Sequence, residues 1–276
     1  MQRSKIAAIA AVCTIAVVQV ASAADLPLKA PFNVYTPPLA FSWTGFYVGA
    51  ALGAKWADTT WSTTSILVPG FFPVVDTSSP RDYDLSAFRV GGYLGHNWQF
   101  APQWVAGVEG DWSWANKTAT SAGVPGCSIL CIAGAPGPGV DTSSVKMGWD
   151  ASLRMRLGYL VLPNLLAYGA GGVALQQFEV SATCQHSLPD PLCVVLPGNP
   201  SVTLTNKDTR WGWTIGAGLE ANIYGNWLLR GEYRFSDFGT LNNSLNLGLP
   251  GGIPTIVNSQ FKATTQIGTF GVAYKF

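Results

Sequence analysis

Charge is scarce in this chain. Asp, Glu, Lys and Arg make up 11% of the 276 residues, against about 25% in an ordinary soluble domain. Histidine occurs only twice, at His96 and His186, which leaves little material for metal ligation or for proton transfer by imidazole. Beyond the first 23 residues no apolar run approaches the roughly 20 residues that a spanning helix needs. The first 23 residues contain Arg3 and Lys5 and no acid, so the remainder carries 14 basic against 15 acidic groups. That balance excludes the electrostatic footprint of a nucleic-acid binder. Glycine (31) and tryptophan (11) are plentiful instead.

Met1 to Ala23 has the form of a secretory signal peptide. Arg3 and Lys5 precede the mostly apolar run Ile6 to Val20, and Ala21-Ser22-Ala23 fits a small-x-small cleavage site. The following residues, 24–42, hold Pro27, Pro31, Pro37 and Pro38 and read as an extended periplasmic segment. An exported chain with few charges, many aromatics and no spanning helix points to a closed barrel, because only helices and closed barrels satisfy every backbone group in lipid.

The residue pattern has the matching period. From Trp211 to Ile223, the residues Trp211, Trp213, Ile215, Ala217, Leu219, Ala221 and Ile223 alternate with Gly212, Thr214, Gly216, Gly218, Glu220 and Asn222. After a Gly225-Asn226 turn, Trp227, Leu229, Tyr233 and Phe235 alternate with Arg230, Glu232, Arg234 and Ser236. Period two with one apolar and one polar face denotes a strand, and about ten residues is the length of a tilted strand crossing a bilayer. The same alternation runs through Trp43–Trp56, Phe88–Phe100, Trp104–Trp114, Met147–Val161 and Ser259–Phe276. The stretch Leu165–Gln177 is too rich in Gly and Ala to fix its register. The expectation is therefore all-β: an eight-stranded antiparallel transmembrane β-barrel over residues 43–276.

The connections follow a rule of their own. Ala101-Pro102-Gln103, Leu162-Pro163-Asn164 and Gly225-Asn226 are short, whereas Asp58 to Tyr83, Lys117 to Ser144, Ser181 to Asn206 and Leu241 to Asn258 read as four long external loops. Short periplasmic turns alternating with long external loops are the habit of outer-membrane barrels.

The polar faces define a lumen. Lys55, Arg89, Arg154, Arg156, Arg230, Arg234 and Lys275 are expected to point inward with Glu109, Asp111, Asp150, Glu220 and Glu232. So many charges in one interior must pair, since an isolated buried charge is costly. Two uses are open: a network that fills the barrel, or a basic stripe guiding anions through a narrow pore. An eight-stranded barrel is just wide enough for its own side chains, which favours filling.

The remaining chemistry is sparse. Cys127/Cys131 and Cys184/Cys193 fall as local pairs in two external loops, and export through an oxidising compartment predicts two disulfides. Metal binding by Cys184, His186 and Cys193 matches no ordinary zinc spacing. No pattern calls for a catalytic residue or a cofactor. The external loops carry apolar spots at residues 68–73 and 247–256, which suit either a binding surface for host or environmental ligands or loop-to-loop packing.

Trp43-Thr44-Gly45-Phe46-Tyr47-Val48-Gly49, Gly212-Trp213-Thr214, Glu220, Asn226-Trp227, Glu232-Tyr233-Arg234, Phe238-Gly239 and the terminal Ala273-Tyr274-Lys275-Phe276 resemble the small porin-like outer-membrane proteins of alphaproteobacteria. These are immunogenic surface proteins among the outer-membrane protein A-like eight-stranded barrels. The resemblance implies an outer-membrane location, a structural envelope role with narrow porin activity, or action as a surface adhesin through the loops. It also implies that Phe276, with Phe270, Val272 and Tyr274 behind it, is the signal read by the barrel-assembly machinery.

Overall fold

The computed structural model describes residues 41–67, 69–70, 75, 77–126, 142–184, 202–246 and 256–276. Within them the chain forms eight strands: β1 (Gly45–Leu67), β2 (Arg81–Ala101), β3 (Trp104–Ala122), β4 (Thr142–Leu162), β5 (Leu165–Cys184), β6 (Val202–Tyr224), β7 (Trp227–Asn246) and β8 (Ile256–Lys275). Each pairs antiparallel with its neighbours in sequence, and β1 pairs with β8, so the sheet closes. Closure leaves no edge strand exposed to lipid, which is the condition for a sheet to cross a bilayer.

The side chains sort by parity as the sequence pattern requires. On β1, Phe46, Val48, Leu52 and Trp56 stand outward and exposed, while Tyr47 and Lys55 are buried inside. The same split holds for Val90, Leu94 and Trp98 against Arg89 and Tyr93 on β2, and for Leu153, Met155 and Leu157 against Arg154 and Arg156 on β4. Met155 is 74% exposed and Arg156 only 4%. A water-soluble barrel would show the reverse, so the outward apolar band is the lipid-facing wall.

Aromatics mark its two borders. Phe46, Trp98, Trp104, Tyr159, Trp227, Tyr274 and Phe276 ring the end that carries the short turns, while Trp56, Phe88, Trp114 and Trp211 ring the other, all of them exposed. Ten residue steps separate Phe46 from Trp56; at about 3.3 Å each and about 40° of tilt this gives roughly 25 Å, the height of an outer-membrane barrel's apolar band. His96 sits in the periplasmic ring, packed between Phe46 and Trp98 with both ring centroids at 4.3 Å, and is part of that belt rather than of any reactive site.

The strands run further than the bilayer demands. They are 19 to 23 residues long, about twice the 9–11 residues that cross a membrane. The loops expected from Asp58, Lys117, Ser181 and Leu241 onward are therefore strand for several more residues on each side. The physical reason is an inversion of sidedness. Above Trp56 the outward positions of β1 become Asp58, Thr60, Ser62 and Thr64, and the buried inward ones Ala57 and Trp61, with Ile66 after a bulge. Water now lies outside the barrel, so the apolar face turns in. Trp61, Tyr83, Val145, Met147, Phe178, Phe238, Val257 and Phe261 meet there as a conventional hydrophobic core, with Trp61 and Phe261 ring to ring at 4.6 Å.

Two more expectations are adjusted. The first strand begins at Gly45, not Trp43; Trp43 is wholly buried and joins Val105, Leu160, Leu166 and Leu228 in an apolar plug at the periplasmic mouth. Its indole Nε1 donates to the carbonyl of Pro163 at 3.2 Å. On β5 the register is now fixed, with Leu166, Tyr168, Ala174, Gln176 and Phe178 inward and Val173 outward. The expected signal peptide, the segment 24–40, Cys127, Cys131, Cys193 and most of the apolar loop spots lie outside the described residues; Cys184 ends β5.

Candidate functional site

Between the periplasmic plug and the external apolar core, the lumen holds a single connected ion-pair network. Register builds it. Glu109 on β3 lies opposite Arg154 on β4, and Glu220 on β6 lies opposite Arg230 on β7, so inward parity alone brings each acid to a base. Long guanidinium side chains then tie these local pairs together across the barrel.

In the lower tier Glu109 is the hub. Its carboxylate accepts from Arg154 at 2.7 Å, Arg230 at 2.6 Å and the Tyr47 hydroxyl at 2.8 Å, with Arg156 at 3.4 Å. Glu220, fully buried, accepts from Arg230 Nε at 2.8 Å and from Arg156 at 3.3 Å. Glu232 accepts from Arg154 at 2.6 Å and from Tyr168 at 2.7 Å. Arg156 also stacks over the Tyr168 ring at 3.9 Å and Arg230 over Tyr93 at 4.2 Å, contacts worth about 2 kcal/mol when desolvated.

The upper tier is built on two aspartates. Asp111 receives Arg89 and Arg234, both at 2.8 Å, and the Ser152 hydroxyl. Asp150 receives Lys55 and Arg89, both at 2.9 Å. Lys55 also donates to Gln176. Arg154 reaches Asp111 at 3.8 Å and thereby links the tiers.

Eleven of the twelve charged residues expected in the lumen thus meet in one network. Lys275 does not join it. It is the last inward residue of β8, level with Tyr47, and its ammonium donates to the Thr44 and Phe276 carbonyls at the periplasmic rim. Sequence reasoning left out Gln176 and Tyr168, both on β5, where alternating Gly and Ala gave no register from which to call them inward. Phe270, Val272 and Tyr274 stand outward on β8, and the backbone N–H of Phe276 donates to Phe46 at 2.8 Å where the barrel closes.

The cavity inside the network has a volume of about 20 Å³, room for one water molecule. The larger hollows, about 530 and 720 Å³, open on the lipid side of β2 to β6, where Ala167, Gly169 and Gly171 thin the outer wall. Among the described residues, no cluster of His, Cys, Asp and Glu is arranged to hold a metal ion.

Residues 10–276 match the family model described as outer membrane protein beta-barrel domain. The chain belongs to the outer membrane protein beta-barrel family. As a member of that family it resides in the outer membrane, embedded in its bilayer. It is similar to the 25 kDa outer-membrane immunogenic protein of Brucella melitensis biotype 1, at 31% identity over 91% of this chain and 85% of that one. The 31 kDa outer-membrane immunogenic protein of the same organism is 30% identical over 80% of this chain and 82% of its own length. The 22 kDa outer membrane protein of Rhizobium leguminosarum bv. viciae is 29% identical, over 75% and 70%. The names of these relatives describe location and immunogenicity, and none describes an enzyme.

Proposed function

We propose that this barrel is a structural element of the outer membrane whose lumen is a strut rather than a passage, and that it carries its surface activity on the external extension. The observation that carries this reading is the ionic layer. It ties β3 to β7 and β4 to β7 across the interior, between an apolar plug below and an apolar core above. Solute flow through such a lumen requires displacing buried guanidinium and carboxylate groups from their partners, each step costing several kcal/mol. Osmotic swelling of liposomes loaded with the refolded mature protein tests it. The closed strut predicts swelling no faster than in empty liposomes; solute-size-dependent swelling would make the lumen a pore.

A second reading concerns contact with hosts or surroundings. It is supported by the polar-faced extension of the strands beyond the lipid wall, and by relatives whose names call them immunogenic. Replacing the four external loops with short turns, and assaying surface binding in cells, separates this role from envelope strength. In the same reading Met1 to Ala23 directs export, Cys127/Cys131 and Cys184/Cys193 form local disulfides, and Phe276 serves the assembly machinery. Counting free thiols in the unreduced protein checks the second of these: none is expected.

A further inference from the structure

Among the described residues, the ionic layer contains one more cation than it has anions. Lys55, Arg89, Arg154, Arg156, Arg230 and Arg234 face the five carboxylates of Glu109, Asp111, Asp150, Glu220 and Glu232. Every one of these residues except Asp111 and Glu232 is at most 5% exposed, and the two aspartate and glutamate side chains themselves are equally enclosed, at 7% and 5%. Guanidinium groups do not give up their protons in proteins, and Lys55 sits 2.9 Å from the Asp150 carboxylate. The surplus positive charge is therefore enclosed, away from bulk water, where an uncompensated ion is strongly disfavoured.

The surplus has a location. The cavity of about 20 Å³ is walled by Arg89, Arg154, Arg230 and Arg234, against three of the carboxylates. Among the described residues, Arg89, Arg154 and Arg234 each retain a buried Nε–H with no hydrogen-bond partner, and the hydroxyl of Tyr93, in the same wall, has none either. Unsatisfied buried donors of this kind are rare and call for an explanation. The three Nε–H groups can only donate and the hydroxyl can donate as well, so the missing partner is an acceptor. A water would fill the volume and accept two of these bonds, but it would leave the charge uncompensated.

We infer that this cavity is a binding site for one small monovalent anion of halide size, held by Arg89, Arg154, Arg234 and the Tyr93 hydroxyl. The anion completes the charge balance of the strut. It is a built-in component taken up as the barrel closes around it, at a site that lies between the periplasmic apolar plug and the external core.

The test uses full-length mature protein refolded with bromide as the only halide, then crystallised. An anomalous bromine peak is expected in the cavity, within hydrogen-bonding distance of these guanidinium groups. In parallel, the unfolding temperature read by gel shift is expected to be higher in chloride or bromide than in gluconate at equal ionic strength. Two variants tie that difference to the site. Tyr93→Phe removes one donor and should shrink it, and Thr269→Asp, which places a carboxylate in the same wall, should abolish it. A cavity without a bromine peak overturns the inference and leaves a water there. So does a halide effect that persists unchanged in both variants, which would place the stabilising ion elsewhere.

Discussion

Glu109 and Arg230 stand 121 residues apart in sequence, on β3 and β7, and meet at 2.6 Å across the axis of the barrel. In a ring of eight strands these two are diametrically opposed, so the pair is a crossbar. Glu109 also anchors Arg154 and Arg156. Its loss leaves three guanidinium groups facing one another in a dry interior. Glu109→Ala is expected to destabilise the folded barrel by about 3–5 kcal/mol, read as a lower urea midpoint in detergent or lipid. A shift below about 1 kcal/mol would show that these charges are solvated and the crossbar is weak.

The inverted sidedness of the strands predicts two different costs for apolar truncation. Trp61 is fully buried in the external core, whereas Leu153 is 62% exposed on the lipid wall. Trp61→Ala should cost about 3–5 kcal/mol, as in a water-soluble core. Leu153→Ala loses contact only with lipid tails, which repack, and should cost distinctly less. Equal costs would contradict the division into a lipid-facing band and an external soluble core.

A pH dependence follows from three acids just above the external aromatic ring. Asp58 on β1 lies opposite Asp84 on β2, with Asp82 two residues further on. Partial burial, and then the charges of Asp84 and Asp82, raise the Asp58 carboxyl above its ordinary value. A carboxyl raised in the folded state binds its proton more tightly there than in the unfolded chain. It therefore favours the fold at low pH, and that contribution is lost as pH rises through the raised value. Asp84→Asn should raise the unfolding temperature at about pH 7, and the gain should fade towards about pH 4, where free carboxylates take up protons. The opposite trend would mean that the three acids are not in electrostatic contact.

Arg81 bridges a gap in the sheet. The β2–β3 ladder reaches up only to Val90 opposite Trp114. Beyond it Arg81 donates to the Ala122 carbonyl at 2.6 Å and the Gly123 carbonyl at 3.1 Å. Those residues lead into Val124, which is buried in the external core. Arg81→Ala should speed amide exchange across Ser121 to Gly126 while leaving the membrane band protected. Unchanged exchange there would show that Val124 and the hydrogen bonds of Ser143 to the Gly123 carbonyl and of the Gly126 N–H to Ser78 hold the segment without Arg81.

Much of this was legible in the chain, and what was not has a physical cause. Alternation exposes a strand wherever the two faces differ, so Met155 against Arg156 was readable and the inward charges with it. It fails where both faces are small, as at Gly169-Ala170-Gly171-Gly172, and so Tyr168 and Gln176 were missed. It also fails where the environment changes along one strand. Asp58 to Leu67 keeps a strand's period, but its faces exchange roles at Trp56, and a run of Thr and Ser then reads as loop. Trp43 was misplaced for a different reason: an indole ending an apolar strand and an indole folded back into the mouth have the same sequence signature. The cross-barrel contacts of Glu109 depend on which strands face each other across the axis, and no local pattern records that.

The central claim is that the ionic layer closes the lumen. The most direct test is single-channel recording of the refolded mature protein in a planar bilayer, after a gel shift has shown it to be folded. The closed strut predicts a folded barrel with no reproducible conductance steps at neutral pH, and steps emerging only when Arg156 and Arg230 are both replaced by Ala. Discrete steps from the unaltered protein would contradict it and make the charged interior a pore lining.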